Sequence, residues 1–262
     1  MSRVLFILWA CFLTLNAQGQ GPAQPEPPDT LDWQGWGSLS LDWKPAPGFK
    51  ITIQEQWRVK NNGANLDRHF HQLGLSWSPR GSRFAKAHTF GLGARILSRF
   101  DNQGESQGWD RFFRWHGDYE AQVEPGRWSF FGRVRYQRRH ALWLKGGADI
   151  AESPIKKTWR AKFSAAYNIK KWKFDPVASV ERIVPETPEG WPTDGAWRVR
   201  FGTDFQPGKR QKLKVILQRE WRGRYLPSGV GATLDDFRLY GDNEWAIIIG
   251  YRYRMKTGGK RG

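Results

Sequence analysis

The sequence contains very little cysteine. Its single cysteine, Cys11, lies in an apolar stretch near the amino terminus, and none follows it in the 262 residues. Small residues at Asn16 and Ala17 favour cleavage after Ala17, which would remove Cys11. A thiol-free mature chain excludes disulfides, thiolate metal sites and cysteine nucleophiles. We expect no metal site and no cofactor.

Long apolar runs are also missing. After the amino-terminal stretch none approaches the roughly 20 residues that a membrane-spanning helix requires, and the mean hydropathy is −0.68. Arg3, followed by the short apolar run Val4–Leu15, predicts a cleaved secretory signal peptide over residues 1–17. The alternative interpretation takes Leu8–Cys11 as a lipobox whose cysteine is lipidated.

Acidic residues are in deficit, with 25 Asp and Glu against 42 Lys and Arg and a formal net charge of +17. Nucleic-acid binding is the usual interpretation of such a balance, but the export signal argues against it. We expect no nucleic acid as partner. Outer-membrane lipid and lipopolysaccharide, anionic small solutes and acidic oligosaccharides fit the charge better. The alternative is that the charge belongs to a solvated lumen wall and to loops.

Aromatic residues are abundant, at 15% of the chain with 16 tryptophans. They and the aliphatic residues recur at every second position along strand-length segments. At the start of one segment, for example, Phe49, Ile51 and Ile53 alternate with charged or polar neighbours. Such alternation predicts strands that show one face to an apolar medium. Eleven segments of this kind follow one another.

Composition divides the chain into regions. Residues 18–31 form a proline-rich flexible leader, residues 32–255 carry the alternation without an internal linker, and residues 256–262 form a basic tail. The sequence therefore predicts an all-β, antiparallel transmembrane β-barrel in the outer membrane of a Gram-negative bacterium. Because single-chain bacterial barrels have even strand numbers, we predict about twelve strands, with ten as the alternative.

The connections between segments differ in length. Short turns are predicted at Pro45–Gly48, Glu124–Gly126, Lys170–Lys171 and Gln206–Gly208. Longer connections are predicted at 101–110, 140–157, 185–195 and 223–242, with weaker examples at 61–67 and 79–87. Outer-membrane barrels have short periplasmic turns and long external loops, so the short turns are predicted to be periplasmic.

Tryptophans collect at both ends of the predicted strands, on the apolar face. Aromatic residues form girdles in this way at the two interfaces of a membrane. The predicted membrane-interface aromatics are Trp33, Trp43, Trp57, Trp77, Trp128, Trp159, Trp172, Trp197, Trp221 and Trp245.

Three short motifs carry a family resemblance: Trp36–Trp43, Gln54–Arg58 and Asp175–Glu181. With them the chain resembles an uncharacterised family of outer-membrane barrels, the domain-of-unknown-function 2490 type, common in Bacteroidota. The resemblance covers nearly the whole mature chain. It implies a barrel in the outer membrane and supplies no activity or catalytic residue. A fainter resemblance, to small porins for acidic oligosaccharides, rests on basic residues of the predicted lumen.

Those basic residues occupy the face opposite the apolar one. Thirteen are predicted to point inward: Lys50, Arg58, Arg95, Arg99, Arg114, Arg133, Arg135, Arg160, Lys162, Arg198, Arg200, Lys212 and Lys214. Six acids share that face: Asp118, Glu120, Asp175, Glu181, Asp204 and Glu220. An excess of inward cations favours anions in a pore, so a small anion-preferring pore is one prediction. A lumen plugged by ion pairs is the equally weighted alternative.

Catalysis is not expected. His116 and Asp118 share the inward face two residues apart, and Asp235–Asp236 lies in the last long connection. This arrangement resembles outer-membrane proteases only loosely, and a lumen histidine beside an acid is usually structural. His69 and His71 are interpreted as interfacial or loop residues, although their spacing could share a metal.

Two points stay open. Glu55 is an acid on the predicted lipid-facing side, where it indicates a bulge or a contact to a partner chain. The main alternative to the barrel is a secreted soluble β-sandwich or lipocalin-like binder of acidic glycans. A barrel hydrolase, such as a protease or lipid-modifying enzyme, is the remote one.

Overall fold

The computed structural model describes residues 33–60, 65–79, 88–101, 108–144, 155–186, 195–223 and 243–255. The predicted signal peptide, the leader, the tail and Asp235–Asp236 lie outside these residues. Nearly all of the described chain is strand, and none of it forms a helix long and apolar enough to span a membrane.

Eleven strands follow one another along the described chain. They are β1 (Trp33–Trp43), β2 (Phe49–Lys60), β3 (Asn65–Trp77), β4 (His88–Asp101), β5 (Gly108–Val123), β6 (Trp128–Trp143), β7 (Lys156–Tyr167), β8 (Phe174–Glu186), β9 (Gly195–Gly208), β10 (Gln211–Gly223) and β11 (Asn243–Arg254).

The strands form one closed barrel in which each pairs antiparallel with its neighbours in sequence. The ring closes between β1 and β11, which pair in parallel from Trp33 opposite Trp245 to Asp42 opposite Arg254. The all-β barrel predicted from the sequence is confirmed, but the strand number is eleven rather than twelve or ten. Antiparallel neighbours alternate in direction, so a ring with an odd number of strands requires one parallel pair.

The barrel has two distinct ends. At one, here called the turn end, the chain reverses through short connections such as residues 44–48, 124–127 and 209–210. Gly48 and Gly126 adopt positive φ there, which glycine alone adopts without steric cost. At the opposite end, the loop end, β6, β8 and β10 end and β7, β9 and β11 begin.

One connection departs from the predicted pattern. β3 ends and β4 begins at the turn end, among the short turns, although residues 79–87 between them were predicted to be one of the longer connections. Length alone therefore does not assign a connection to an end of the barrel; the direction of the flanking strands does.

Successive side chains point alternately into and out of the barrel, as strand geometry requires. The outward side chains are mainly apolar, and many are well exposed, including Ile53 at 53%, Leu92 at 65% and Phe201 at 64%. The inward side chains are mainly polar, and Gln218 and Glu181 are each only 1% exposed. A small apolar cluster of Phe70, Leu97 and Phe112 is also inside. The interior of the barrel is therefore mainly polar, and its outer wall is mainly apolar.

Candidate functional site

The cationic lumen is the strongest candidate for a functional site. The structure places all thirteen of the predicted cations on the inward face of their strands, because their cross-strand partners are other inward residues. The inward face also carries Arg68 and Arg139, which the sequence analysis did not single out. The alternation of side chains along β3 and β6 is sufficient to predict that both arginines point inward.

Glu181 organises one side of the lumen. Its carboxylate is 1% exposed and accepts hydrogen bonds from Arg160 at 2.7 and 3.1 Å, Arg133 at 3.1 Å and Arg198 at 3.1 Å. The guanidinium of Arg200 lies 3.8 Å away. Since these cations come from β6, β7 and β9, a single acid on β8 connects four strands.

Two further acids extend this network toward β10 and toward the turn end. Glu220 accepts hydrogen bonds from Nε and Nη2 of Arg198, at 2.8 and 2.5 Å. Asp204 lies 2.6 Å from the ammonium of Lys212 and 3.5 Å from that of Lys214. The cations of the β7–β10 wall are therefore largely compensated by acids.

His116 and Asp118 lie together, but the acid is engaged elsewhere. Arg135 donates two hydrogen bonds to Asp118, at 2.5 and 2.7 Å, whereas Nε2 of His116 is 3.7 Å from that carboxylate. The His116 ring is 4% exposed and packs over Gly93, where any Cβ would overlap the ring. This contact explains why glycine occupies the position opposite His116.

On the β1–β4 side of the lumen, aromatic rings contact the guanidinium groups of arginines. The guanidinium of Arg58 lies 3.8 Å from the centre of the Trp36 ring, and that of Arg95 lies 3.7 Å from the centre of Phe70. The guanidinium of Arg198, three strands away around the barrel, lies 5.7 Å from the centre of the same Trp36 ring. In these cation–π contacts, the faces of aromatic rings rather than carboxylates are the partners of the guanidinium groups.

These inward aromatics were not predicted from the sequence. Trp36 and Phe70 are 5% and 1% exposed and occupy polar rows of their strands, and Phe112 lies similarly under Arg139 at 4.6 Å. Parity along the strand would have placed them inside.

Several inward arginines make no ion pair with an acid in the described part of the chain, and three of them lie on the wall from β2 to β5. In the described part of the chain no carboxylate lies within ion-pair distance of Arg58, Arg95 or Arg114. The Nε atoms of Arg58 and Arg114 are buried and make no hydrogen bond. Arg95 donates to the side-chain oxygen of Gln72, a neutral acceptor. This part of the lumen wall, from β2 to β5, therefore carries uncompensated positive charge.

The predicted interface aromatics lie on the outer wall. Nine of the ten point outward from strands, whereas Trp172 lies in the connection between β7 and β8 at the turn end. Trp33 and Trp245 stack at 5.8 Å across the closing pair of strands at the loop end. At the turn end Trp77 stacks on Phe90 at 5.9 Å.

Glu55 also points outward, and its strand keeps regular alternation at that position. The nearest irregularity of β2 lies between Arg58 and Val59. The Glu55 carboxylate contacts the ring nitrogen Nδ1 of His71 directly, and the His69 ring lies 5.6 Å from that of His71. Within the described ranges no group of three or more His, Cys, Asp or Glu could hold a metal ion.

Together these features define a closed β-barrel with an apolar outer wall and a charged, partly compensated lumen. The chain belongs to the family described as protein of unknown function (DUF2490), whose model matches residues 33–225. That match covers β1 to β10. No curated protein matches the chain.

Proposed function

We propose that the protein is an outer-membrane β-barrel whose lumen admits anions in preference to cations. The observation that carries the proposal is the sorting of side chains across a closed wall, apolar outward and cationic inward. A closed ring leaves no unpaired strand edge, which a lipid environment requires of any spanning sheet.

The outer wall supports the membrane assignment. Contiguous exposed apolar surface is rare on soluble monomers and marks contact with lipid or another protein. A secreted lipocalin-like binder of acidic glycans, the second candidate, would need an outer wall that faces water, whereas the large apolar side chains here lie mainly outside. Strands of 11 to 16 residues are also long enough to cross a bilayer when tilted.

The anion preference follows from the uncompensated arginines. Arg58, Arg95 and Arg114 face the lumen with no described carboxylate within ion-pair distance, and guanidinium groups bind carboxylates and phosphates through paired hydrogen bonds. The network around Glu181 compensates the cations of the β6–β9 wall. The arrangement supports a lumen whose wall is positive from β2 to β5.

Planar bilayer recordings test the proposal. Protein that refolds to a heat-modifiable band on SDS gels is expected to give a reversal potential of the anion-selective sign across a salt gradient. Replacing Arg95 and Arg114 by glutamine should reduce that potential, since two uncompensated charges leave the wall. The double variant Arg111→Gln with Arg219→Gln serves as the matched control, because both residues point outward and the same charge is removed. Cation selectivity, or no current from heat-modifiable protein, would contradict the pore.

We further infer that the barrel is not an enzyme. The inference is supported by Asp118, whose oxygens are held by Arg135 and so do not orient His116 as a base. We expect neither the unchanged protein nor the His116→Ala variant to hydrolyse peptides or lipopolysaccharide above background. Turnover by the unchanged protein that the variant loses would overturn this inference.

A further inference from the structure

Charged side chains are distributed unevenly over the outer wall. Seven acidic or basic residues point outward from the described strands: Glu55, Arg111, Arg138, Lys157, Arg182, Glu186 and Arg219. All seven lie in the loop-end half of their strands. In the turn-end half of these strands no Asp, Glu, Lys or Arg points outward. Among the described strands, the turn-end half of the outer wall therefore carries no charged side chain, and five of the seven in the loop-end half are cationic.

Three of the cations, here called the cluster, lie on adjacent strands at two levels of the wall. Arg138 on β6 lies directly opposite Lys157 on β7, whereas Arg182 on β8 lies opposite Ala161, four residues further from the loop end than Lys157. The only acid beside them is Glu186, 3.1 Å from Lys157, among the described side chains. The guanidinium of Arg182 lies 5.3 Å from the centre of the Trp197 ring. The cluster therefore keeps a net positive charge at the height of the loop-end aromatics.

Two apolar grooves lie directly below this cluster. The first, of about 410 Å³, has a floor of small residues, Ala121, Gly132 and Ala161, and ends at Arg182 and Trp197. Aromatic side chains, including Phe163 and Tyr119, form its walls.

The second groove, of about 480 Å³, has Gly117 in its floor and shares Tyr119 and Val134 with the first. Its loop-end margin is formed by Tyr136 and Trp159. The next outward residues along those two strands are Arg138 and Lys157. Each groove thus leads from the apolar band to a cation.

We propose that the Arg138–Lys157–Arg182 cluster and the two grooves bind a phosphorylated glycolipid with several acyl chains, as in lipopolysaccharide. The acyl chains occupy the grooves, and the phosphates accept hydrogen bonds from the guanidinium and ammonium groups. Charge-assisted contacts of this type are strong, and basic clusters beside an apolar surface recognise anionic lipid headgroups. Two adjacent grooves under three cations fit a lipid with more than one phosphate and more than two chains better than a phospholipid.

The proposal rests on the proposed membrane location and names a lipid partner for it. With short turns in the periplasm, the loop end faces the outer leaflet, where lipopolysaccharide resides. The uncharged turn-end half of the wall lacks a corresponding site for anionic headgroups.

The test measures lipid binding to the full chain, refolded in detergent and heat-modifiable. Native mass spectrometry or fluorescence titration would use three probes: bisphosphorylated lipid A, its form without phosphates, and phosphatidylglycerol. Lipid A is expected to bind tightest, and Arg138→Gln with Arg182→Gln should weaken it by about tenfold, since two charge-assisted contacts are lost. Ala161→Phe, which fills the first groove, should also weaken it.

The control is the double variant Arg252→Gln with Arg254→Gln, which removes the same charge from the lumen face at the turn end. It should bind lipid A as the unchanged protein does. Equal affinity for phosphatidylglycerol and lipid A, or unchanged binding by Arg138→Gln with Arg182→Gln, would overturn the proposal. Heat-modifiable migration is read in every sample, so failure of the lipid site is distinguished from failure of the membrane barrel.

Discussion

Replacing Glu181 by glutamine is expected to destabilise the barrel by about 3–5 kcal/mol, because a buried ion-pair partner is removed while its counterparts stay buried. Glutamine keeps the shape of the side chain but not the charge. Arg133, Arg160 and Arg198, which all donate to Glu181, would then face one another without an acid. Urea titration of the refolded protein in detergent, followed by tryptophan fluorescence, measures the change.

The matched control is Glu186→Gln, five residues further along the same strand. Glu186 pairs with Lys157 at 3.1 Å, and both side chains are 39% exposed. Exposed pairs contribute about 0–1 kcal/mol, so this variant should unfold almost as the unchanged protein does. Equal effects of the two substitutions would mean that the Glu181 network does not hold the wall together.

A disulfide is expected to form between cysteines introduced at Ser38 and Gly250. These residues face each other across the parallel pair that closes the barrel, and a Cβ at Gly250 would lie 2.9 Å from Oγ of Ser38. In a background with Cys11 replaced by serine, oxidation should link the ends of the barrel. The linked chain would migrate faster than the reduced chain on heated, non-reducing SDS gels.

Cysteines at Ser38 and Ser164 provide the negative control, since Ser164 lies on β7, in the far wall of the ring. No link is expected for that pair. If a twelfth strand separated β1 from β11, the Ser38–Gly250 link would also fail to form, so the experiment decides between eleven and twelve strands.

Much of the fold follows from local patterns. The β2 segment Phe49–Lys60 shows why: each side chain lies on the opposite face from its neighbours, so apolar and polar positions can be assigned from order alone. The turn at Glu124–Gly126 is equally local, because proline and a glycine with positive φ suffice to specify it. The family resemblance, too, was carried by short motifs and is confirmed by the match over residues 33–225.

The closure of the barrel could not be predicted in the same way. The eleven segments were visible, but the rule of even strand numbers led to twelve. Whether β1 pairs with β11 depends on residues more than 200 positions apart, and no local pattern encodes that contact. The direction of β3 and β4 likewise decided that β3 ends and β4 begins at the turn end.

The contacts between side chains inside the lumen could not be predicted from the sequence either. Alternation placed Arg135, Asp118 and Glu181 on the inward face, but it could not show that Arg135 engages Asp118 while four cations surround Glu181. It also could not show that Arg58 and Arg95 lie against aromatic rings.

The alternating residues thus determine which side of the wall each side chain occupies, because that depends only on the geometry of one strand. Strand number, closure and the compensation of charge depend on the register between strands and on contacts across the lumen. Only the tertiary structure decides them, and with them where positive charge remains uncompensated.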